Sequence, residues 1–305
     1  MSVPSVDEPQ LSEVSWSPSR VAIIGAGLLG GSFALAIRRR YPQATVIGVS
    51  RSQASRDAAV RCGAVHEAVE QPQQACAQAD LVVLATPVDR IAALAIAAAE
   101  VCREDALITD LGSTKAGIVE AIHAQPLTAS KFVGSHPIAG GEKTGAEHAR
   151  ADLFESKCVV LTPVDATDPQ RLQRATVLWQ SLGARVEVMT PEEHDRAMAS
   201  ISHVPHLVAS TLANLLDAPL RSLVGSGWLD TTRVASGDPQ MWTAICQQNR
   251  RAIVAELQHA SAALQEFRDA IESGDDERLF DLLDSAKRCR DAVAERCALK
   301  APVAR

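Results

Sequence analysis

The most constraining feature of the sequence is a glycine-rich turn between an apolar strand and an amphipathic helix. The run Val21–Ile24 predicts the strand, and Leu28–Arg40 predicts the helix. In the turn, Gly25 permits a tight bend, Gly27 lets a pyrophosphate approach the backbone, and Gly30 allows close packing of helix on strand. Since the first N–H groups of the helix then face the phosphates, this order predicts a dinucleotide-binding domain. The residues expected to bind the cofactor here are Gly25, Ala26, Gly27, Leu28, Leu29 and Gly30.

Residues 20–189 alternate short β-branched runs with helical patterns. The predicted strands are Val21–Gly25, Thr45–Val49, Leu81–Ala85, Ala106–Asp110, Phe132–Ser135, Cys158–Thr162 and Arg185–Met189. The predicted helices between them include Leu28–Arg40, Arg51–Cys62, Val88–Val101 and Pro169–Leu182. Several strands are apolar throughout, which is typical of parallel strands covered on both faces. The alternation predicts an α/β fold with a Rossmann-type doubly wound parallel sheet over residues 20–189.

From residue 190 onward the pattern is helical. The predicted elements are a helix from Pro191 to about Asp217 interrupted at Pro205, a loop over 218–237, a helix from Asp238 to about Glu272, and a helix ending near Leu299. Pro191 and Pro239 favour helix starts because the first turn needs no proline N–H, whereas Pro205 removes a donor inside the pattern. Residues 190–305 are therefore predicted to form an all-helical domain.

Composition and charge exclude two classes of partner. The chain has 305 residues, a net charge of −7 and no uncharged apolar run of about 18 residues, which predicts no membrane-spanning helix. Its tightest arginine cluster, residues 38–40, ends a predicted helix, where cations stabilise the helix dipole. We therefore expect no nucleic-acid partner and no membrane partner.

The N-terminus and the cysteines bear on the compartment. Residues 1–19 are rich in Ser, Pro and acids and lack an apolar segment, so they predict a disordered tail and not a signal peptide. The seven cysteines are odd in number, scattered, and never spaced as CxxC. Free thiols in a reducing compartment are the simplest interpretation, and we expect a cytoplasmic protein.

The end of the second strand carries the signal for the type of cofactor. The fingerprint expects an acidic residue there to bind a ribose 2′-hydroxyl, but the strand runs into Ser50, Arg51 and Ser52. A guanidinium and two hydroxyls accommodate a 2′-phosphate, whereas a carboxylate repels it. The sequence therefore favours NADP over NAD. NAD stays open, because Arg51 can be a solvated helix residue and Ser50 can bond a ribose hydroxyl.

Further strand ends bring polar residues to the same edge of the sheet. Thr86 and Pro87 follow one strand, where they line the nicotinamide side, cap the next helix, or do both. Ser113 follows the next strand, and His136 comes just past the one after it, flanked by glycines and a proline. An imidazole with an ordinary pKa near 6.5 accepts a proton near neutrality, so His136 is a candidate general base. The alternative is a structural histidine in a turn.

Three histidines of the helical region, His194, His203 and His206, raise the question of a metal. A fourth ligand at the spacing of zinc enzymes is missing, and Pro205 distorts the turn between two of them. We expect no metal site there, and a polar helix stripe facing a cleft is the preferred interpretation.

Further along, Arg233 and Trp242 lie in one short segment. An arginine can hold a carboxylate through two parallel hydrogen bonds, which makes Arg233 a candidate for substrate binding. The alternative is a surface arginine that pairs with Asp230 or Asp238.

Five segments, in this order and spacing, resemble the prephenate/arogenate dehydrogenase family. They are GAGLLGGS, DLGSTK, SHPIAGGEKTG, HDRAMASISHVPH and TTRVASGDPQMW, and the resemblance covers roughly residues 20–300. It implies a nucleotide-binding domain paired with an intertwined helical dimerisation domain, hence a homodimer, with the active site between the domains. The implied reaction oxidises prephenate or arogenate with an NAD(P) cofactor and loss of CO2, on the route to tyrosine.

The resemblance also assigns residue roles. His136 matches the base that takes the proton of the ring hydroxyl, and Ser113 matches the residue that bonds both that hydroxyl and the base. In the substrate pocket, Arg233 matches the arginine that binds a substrate carboxylate, with Glu142 as its neighbour. The pocket entrance and shape are assigned by the same resemblance to His206 and Trp242.

Two other classes of function stay open at this point. One is another two-domain reductase or 3-hydroxyacid dehydrogenase, which would carry a catalytic Lys or Asp on its helical domain. The other is a non-catalytic NAD(P)-sensing protein, in which replacing His136 would leave function intact. Prephenate and arogenate differ by a keto or amino group, and the sequence does not separate them.

Overall fold

The computed structural model describes residues 16–140, 143 and 145–299. By contacts the chain divides into two compact units, residues 1–252 and residues 253–305. The sequence-based division at residue 190 stays a prediction. Within the described residues no helix is long and apolar enough to cross a membrane.

An eight-stranded sheet forms the centre of the first unit. Its strands are β1 (Arg20–Ile24), β2 (Thr45–Val49), β3 (Glu67–Val69), β4 (Leu81–Leu84), β5 (Leu107–Asp110), β6 (Phe132–Pro137), β7 (Cys158–Thr162) and β8 (Arg185–Val188). Their order is β3-β2-β1-β4-β5-β6-β7-β8. The order reverses direction at β1, so the predicted Rossmann-type α/β fold is confirmed.

The sheet is parallel except at one pair of strands. Strand β7 runs antiparallel to β6, with His136 opposite Val160, while the other pairs are parallel. A parallel return needs a crossover, usually a helix, and the described part of residues 138–157 carries a single 3-10 turn, Ala146–His148. The pairing also extends β6 through Pro137, so His136 lies inside a strand and not in the loop predicted for it. Strand β3 was not predicted, because it has three residues and little apolar pattern.

Helices cover both faces of this sheet. They are α1 (Leu28–Arg40), α2 (Gln53–Arg61), α3 (Pro72–Cys76), α4 (Val88–Ala99), α5 (Ala116–His123), α6 (Pro126–Lys131) and α7 (Pro169–Ser181). One face buries Phe33 and Trp179 from α1 and α7, and the other buries Ile91 and Ile118 from α4 and α5. Two separate apolar clusters therefore hold the sheet between them, as a doubly wound fold requires.

The later helices depart from prediction in three places. They are α8 (Pro191–Met198), α9 (Val204–Asn214), α10 (Ser226–Thr232), α11 (Pro239–Gln248), α12 (Arg250–Ser273) and α13 (Asp276–Leu299). The interruption predicted at Pro205 lies just before it, at a π turn over Ala199–His203, and Pro205 itself stands in the first turn of α9. Residues 218–237, predicted as a loop, contain α10 and two 3-10 turns, Ala218–Leu223 and Arg233–Ser236. The helix predicted from residue 238 is divided at Asn249.

The predicted disordered tail is ordered at its end. Residues 1–15 lie outside the described residues. Trp16 packs against the apolar cluster of α1 and α7, and the Arg174 guanidinium lies 5.6 Å from the centre of its ring. The Ser19 N–H donates to the Asp80 carboxylate at 2.9 Å. Residues 16–19 are therefore part of the packed domain.

Phe154 is the test of this packing. Its side chain is fully buried, and its ring meets those of Phe33 and Trp179 edge-on, with centroids 6.2 and 5.3 Å apart. We expect Phe154→Ala to lower the free energy of unfolding by about 3–5 kcal/mol, because it removes these contacts and leaves a cavity. Urea denaturation measures the change, with the half-exposed Leu127→Ala as control. A loss equal to that of the control would contradict the assignment of this aromatic cluster to the core.

Candidate active site

The glycine turn has the geometry that phosphate binding needs. Gly25 adopts φ of +100°, and a Cβ there would lie 2.5 Å from the Ala85 carbonyl oxygen. A Cβ on Gly30 would collide with the Gly25 carbonyl, so α1 can pack on β1 only with glycine at this position. Over Gly27 the space is open, with nothing within 4 Å of an added Cβ. The backbone at Gly27 is therefore accessible to a ligand, as the sequence predicts.

Two buried hydroxyls near the glycine turn indicate a ligand. Thr86 Oγ1 and Thr114 Oγ1 are buried and have no hydrogen-bond partner among the described residues. They follow β4 and β5, at the carboxyl edge of the sheet, where ligands of such folds bind. The interpretation of Thr86 as a helix cap was wrong, because Pro87 occupies the cap position of α4. A buried hydroxyl without a partner fits a nicotinamide cofactor, whose amide can bond it.

The loop after β2 differs in detail from its prediction. Arg51 is exposed, and the Ser52 hydroxyl caps α2 by accepting from the Ser55 N–H at 3.4 Å. The sequence analysis missed Arg56. Its Nη1 donates to the carbonyl oxygens of Ser50 at 2.6 Å and Arg51 at 3.0 Å. Arg56 therefore fixes the backbone of the loop that would face the adenosine ribose.

A buried ion pair shapes the loop after β5. Lys115 Nζ lies 2.5 Å from Asp110 Oδ2, and neither side chain is exposed. The ammonium also donates to the carbonyl oxygens of Gly112 and Thr114 at 2.8 and 2.9 Å, so its three donors are all used. Asp110 in turn accepts from the Ser135 N–H at 3.0 Å. This network ties the loop that contains Ser113 to strand β6.

His136 pairs with a histidine of the helical segment. Its Nδ1 lies 2.8 Å from His194 Nε2, and His194 Nδ1 lies 2.8 Å from Asp195 Oδ1. The Asp195 carboxylate also accepts from the backbone N–H groups of Lys115 at 2.8 Å and Ala116 at 3.0 Å. Three side chains thus form one hydrogen-bonded row that ends at the start of α5.

The resemblance implied a hydrogen bond between Ser113 and His136, but His136 bonds to His194 instead. Ser113 lies partly buried after β5. Ser113 and His136 are both described, and no hydrogen bond joins the Ser113 hydroxyl to the His136 ring. The sequence analysis placed His194 in a polar helix stripe but gave it no role at His136. Their contact joins residues 58 positions apart, which no local spacing encodes.

Burial sets the protonation of both histidines. Desolvation first, and then the neighbouring charges of His194 and Lys115, hold the pKa of His136 well below its ordinary value of 6.5. Desolvation also lowers the pKa of His194, although its hydrogen bond to Asp195 opposes the shift. Both rings are therefore neutral at neutral pH, and a neutral His136 can accept a proton.

Asn249 links this row to a second group of residues. Its Nδ2 donates to the Asp195 carbonyl oxygen at 2.7 Å and lies 3.1 Å from His203 Nδ1. Burial lowers the pKa of His203 to about 4. The His203 ring in turn meets Trp242 edge-on at 6.1 Å. The break between α11 and α12 at Asn249 is thus a position with its own hydrogen-bonding role.

His206 and Trp242, predicted as pocket residues, are in contact. Their rings stack with centroids 3.5 Å apart and an interplanar angle of 11°. A Cβ on Gly237 would collide with Trp242 Nε1, so glycine is needed beneath the stack. The pair borders a cavity of about 600 Å³ between α9 and α11, which also reaches Arg250.

The other two residues predicted to bind substrate are Arg233 and Glu142. Arg233 is exposed at the start of the 3-10 turn that packs against α9, the helix of His206. Glu142 lies outside the described residues. Among the residues that the structure describes, no three His, Cys, Asp or Glu side chains are grouped to hold a metal.

Two known protein families match this chain, one over most of the sheet region and one over most of the helical region. The family described as "Prephenate dehydrogenase, nucleotide-binding domain" matches residues 33–188. The family described as "Prephenate dehydrogenase, dimerization domain" matches residues 190–285.

Curated relatives agree with these matches. The chain is 34% identical over 281 residues to a prephenate dehydrogenase of Bacillus subtilis, covering 90% of this chain and 76% of the relative. It is 32% identical over 280 residues to a cyclohexadienyl dehydrogenase of Zymomonas mobilis, covering 90% and 95%.

Solved structures share the fold at similar identity. The Aquifex aeolicus prephenate dehydrogenase, in complex with hydroxyphenyl propionate and NAD+, is 33% identical, with a TM-score of 0.85 over 92% of this chain and 99% of that one. The Synechocystis arogenate dehydrogenase is 32% identical, with a TM-score of 0.76 over 90% and 99%. With both regions matched and relatives above 30% identity over nine-tenths of its length, the chain belongs to the prephenate dehydrogenase family.

Proposed function

We propose that the chain catalyses the oxidative decarboxylation of prephenate or arogenate in tyrosine formation. The observation that carries the proposal is His136, held neutral at the carboxyl edge of the sheet that bears the glycine turn. Oxidising a ring alcohol requires a base for its proton and an acceptor for its hydride. The relatives from Bacillus subtilis and Zymomonas mobilis, with the same two regions, support this assignment.

The proposed reaction assigns one proton transfer to the protein. His136 takes the proton of the ring 4-hydroxyl as the C4–H bond breaks. A bound nicotinamide supplies the acceptor for the hydride. The ring carboxylate then leaves as CO2, and its electron pair completes the aromatic ring. The proton held by His136 returns to the ring oxygen, so the product is a phenol and the step has no net proton change.

The other site residues are proposed to bind and orient the substrate. Ser113 is assigned to the ring hydroxyl, since it lies in the loop beside β6 that the buried ion pair holds in place. Arg233 is assigned to a substrate carboxylate, with Glu142 as its neighbour. The stacked rings of His206 and Trp242 are assigned to the pocket wall, which they border in this structure.

We also propose NADP as the preferred cofactor. The exposed Arg51 guanidinium and the Ser50 and Ser52 hydroxyls stand where NAD-type proteins carry a carboxylate. Arg56 supports the proposal, because it fixes the backbone of the loop that holds Ser50 and Arg51. A carboxylate at the end of β2 would oppose a 2′-phosphate, and residues 50–52 provide none.

The protein is further proposed to be a homodimer. Between residues 190 and 252, Leu215 and Leu223 are 72% and 78% exposed. In the second unit, Leu264 and Phe280 are 65% and 67% exposed. Large apolar side chains left exposed in each unit are typical of an interface between subunits, and the dimerization-domain match supports a second copy as the partner.

A cytoplasmic location is part of the proposal. Free thiols occur at Cys62, Cys76, Cys102, Cys246 and Cys289. Thiols that persist in this form are typical of a reducing compartment.

The decisive measurement is the initial rate with prephenate and with arogenate, each with NADP+ and NAD+. We expect His136→Asn to lower kcat by about 10²–10⁴-fold, because it removes the base, while cofactor affinity is unchanged. His123→Asn, at an exposed position of α5, is the matched control. Absence of cofactor reduction with both substrates refutes the function, and an equal loss of cofactor binding makes His136 structural.

Cofactor preference is tested at Arg51. Arg51→Gln is expected to raise the Kd for NADP+ about tenfold or more, because a charged hydrogen bond to the 2′-phosphate is lost. The Kd for NAD+ is expected to stay unchanged, and fluorescence titration measures both. Arg61→Gln, an exposed arginine at the end of α2, is the control. Equal weakening of both cofactors would contradict the assigned contact.

Assembly is tested by light scattering after size-exclusion chromatography. We expect a mass of twice the 32.4 kDa of one chain. Phe280→Asp should shift the protein towards monomer, because a charge is then buried without a partner. Val60→Asp, on the exposed face of α2, should leave the mass unchanged. A monomeric wild-type protein at micromolar concentration would refute the dimer.

A further inference from the structure

The row His136–His194–Asp195 has an order of donors and acceptors that the distances determine. The Asp195 carboxylate already faces two backbone donors, the N–H groups of Lys115 and Ala116 at 2.8 and 3.0 Å. A carboxyl proton on either oxygen would point at a donor, so Asp195 acts as an acceptor only. The N–H groups also belong to the start of α5, where a negative charge is stabilised.

Because Asp195 is an acceptor, the hydrogen positions on His194 and then on His136 can be assigned one after the other. His194 Nδ1 lies 2.8 Å from Asp195 Oδ1, so Nδ1 carries the hydrogen. A neutral imidazole has one N–H, and His194 Nε2 is therefore a lone-pair acceptor. It lies 2.8 Å from His136 Nδ1, which must donate to it. In a neutral His136 the remaining nitrogen, Nε2, is then the basic atom.

We infer that His194 and Asp195 are positioning residues that hold His136 in the Nδ1–H tautomer and leave Nε2 to take the substrate proton. The inference rests on the proposed role of His136 as the base. Without an acceptor at His194 Nε2, the His136 ring can place its hydrogen on Nε2 and lose its basic atom. His194 and Asp195 also fix the plane of the His136 ring. The imidazoles of His136 and His194 meet in a T-shaped contact, with 5.0 Å between their centroids.

The same row stabilises the charge that catalysis creates. When His136 accepts a proton it becomes an imidazolium, and the groups that act on it are His194, Lys115 and His203. The carboxylates of Asp195 and Asp110 act on His194, the next ring in the row. The positive charge of Lys115 opposes the new imidazolium charge. The Asp110 carboxylate, 2.5 Å from Lys115 Nζ, neutralises Lys115. Asp195, reached through His194, is the counter-charge that no cation in the row neutralises. The arrangement has the order of groups found in catalytic triads, with an imidazole inserted between base and carboxylate.

Two substitutions at His194 separate positioning from folding. In His194→Gln, the amide oxygen can occupy the place of Nε2 and accept from His136 Nδ1. We expect it to retain kcat within about tenfold of wild type. In His194→Leu the acceptor is absent, and kcat should fall by about 10²-fold or more, with the cofactor Kd unchanged in both. Equal kcat in the glutamine and leucine variants would overturn the inference.

Asp195→Asn tests the far end of the row. When its amide N–H faces His194 Nδ1, that nitrogen must accept, and the tautomers of His194 and His136 reverse. A loss of kcat of about 10⁴-fold is expected by analogy with triads in the wrong tautomer. Asp57→Asn, at an exposed carboxylate of α2, is the control. A kcat of Asp195→Asn within tenfold of wild type would overturn the inference.

A spectroscopic readout does not depend on substrate. Long-range ¹H–¹⁵N spectra of the protein labelled with ¹⁵N-histidine distinguish protonated from lone-pair ring nitrogens, and His136→Asn assigns the signal among eight histidines. We expect His136 to carry its hydrogen on Nδ1 in wild type and in His194→Gln, but not in His194→Leu. A hydrogen on Nε2 in wild type would overturn the inference. The expected tautomer in a protein that oxidises neither substrate would refute the proposed function alone.

Discussion

Two backbone N–H groups and one imidazole N–H converge on the carboxylate of Asp195, which is almost fully buried. Burying an unpaired carboxylate costs several kcal/mol, so the fold is stable only when all of these donors are in place. The donors come from the loop after β5 and from α8 itself. The carboxylate therefore ties α8 to the sheet edge, and the position of His194 against His136 follows from that attachment.

The sequence predicted those parts of the fold that local patterns encode. Strand β2 and helix α1 have the bounds expected, because an apolar run and a glycine turn determine them. The antiparallel return of β7 was missed, since strand direction depends on what the connecting segment can cover. The helices within residues 218–237 were missed because their turns are short and contain Pro and Gly.

In the candidate site too, local sequence patterns predicted some features and missed those that depend on distant contacts. Gly25, Gly27 and Gly30 could be assigned from sequence, because each position has one backbone requirement. His136 could be named as a base, but its partner could not, since the contact joins β6 to α8. Arg56 was missed for a similar reason. Its part in the loop after β2 is a bond to carbonyl oxygens, and carbonyl oxygens carry no sequence signal.

The placement of His136 within a paired strand restricts the motion of its backbone. A base on a loop can swing away from its substrate, but one opposite Val160 in a sheet ladder cannot move without breaking β6 from β7. The contacts of His194 to His136 and of Asp195 to Lys115 both start from α8, so a displacement of α8 would break the two together.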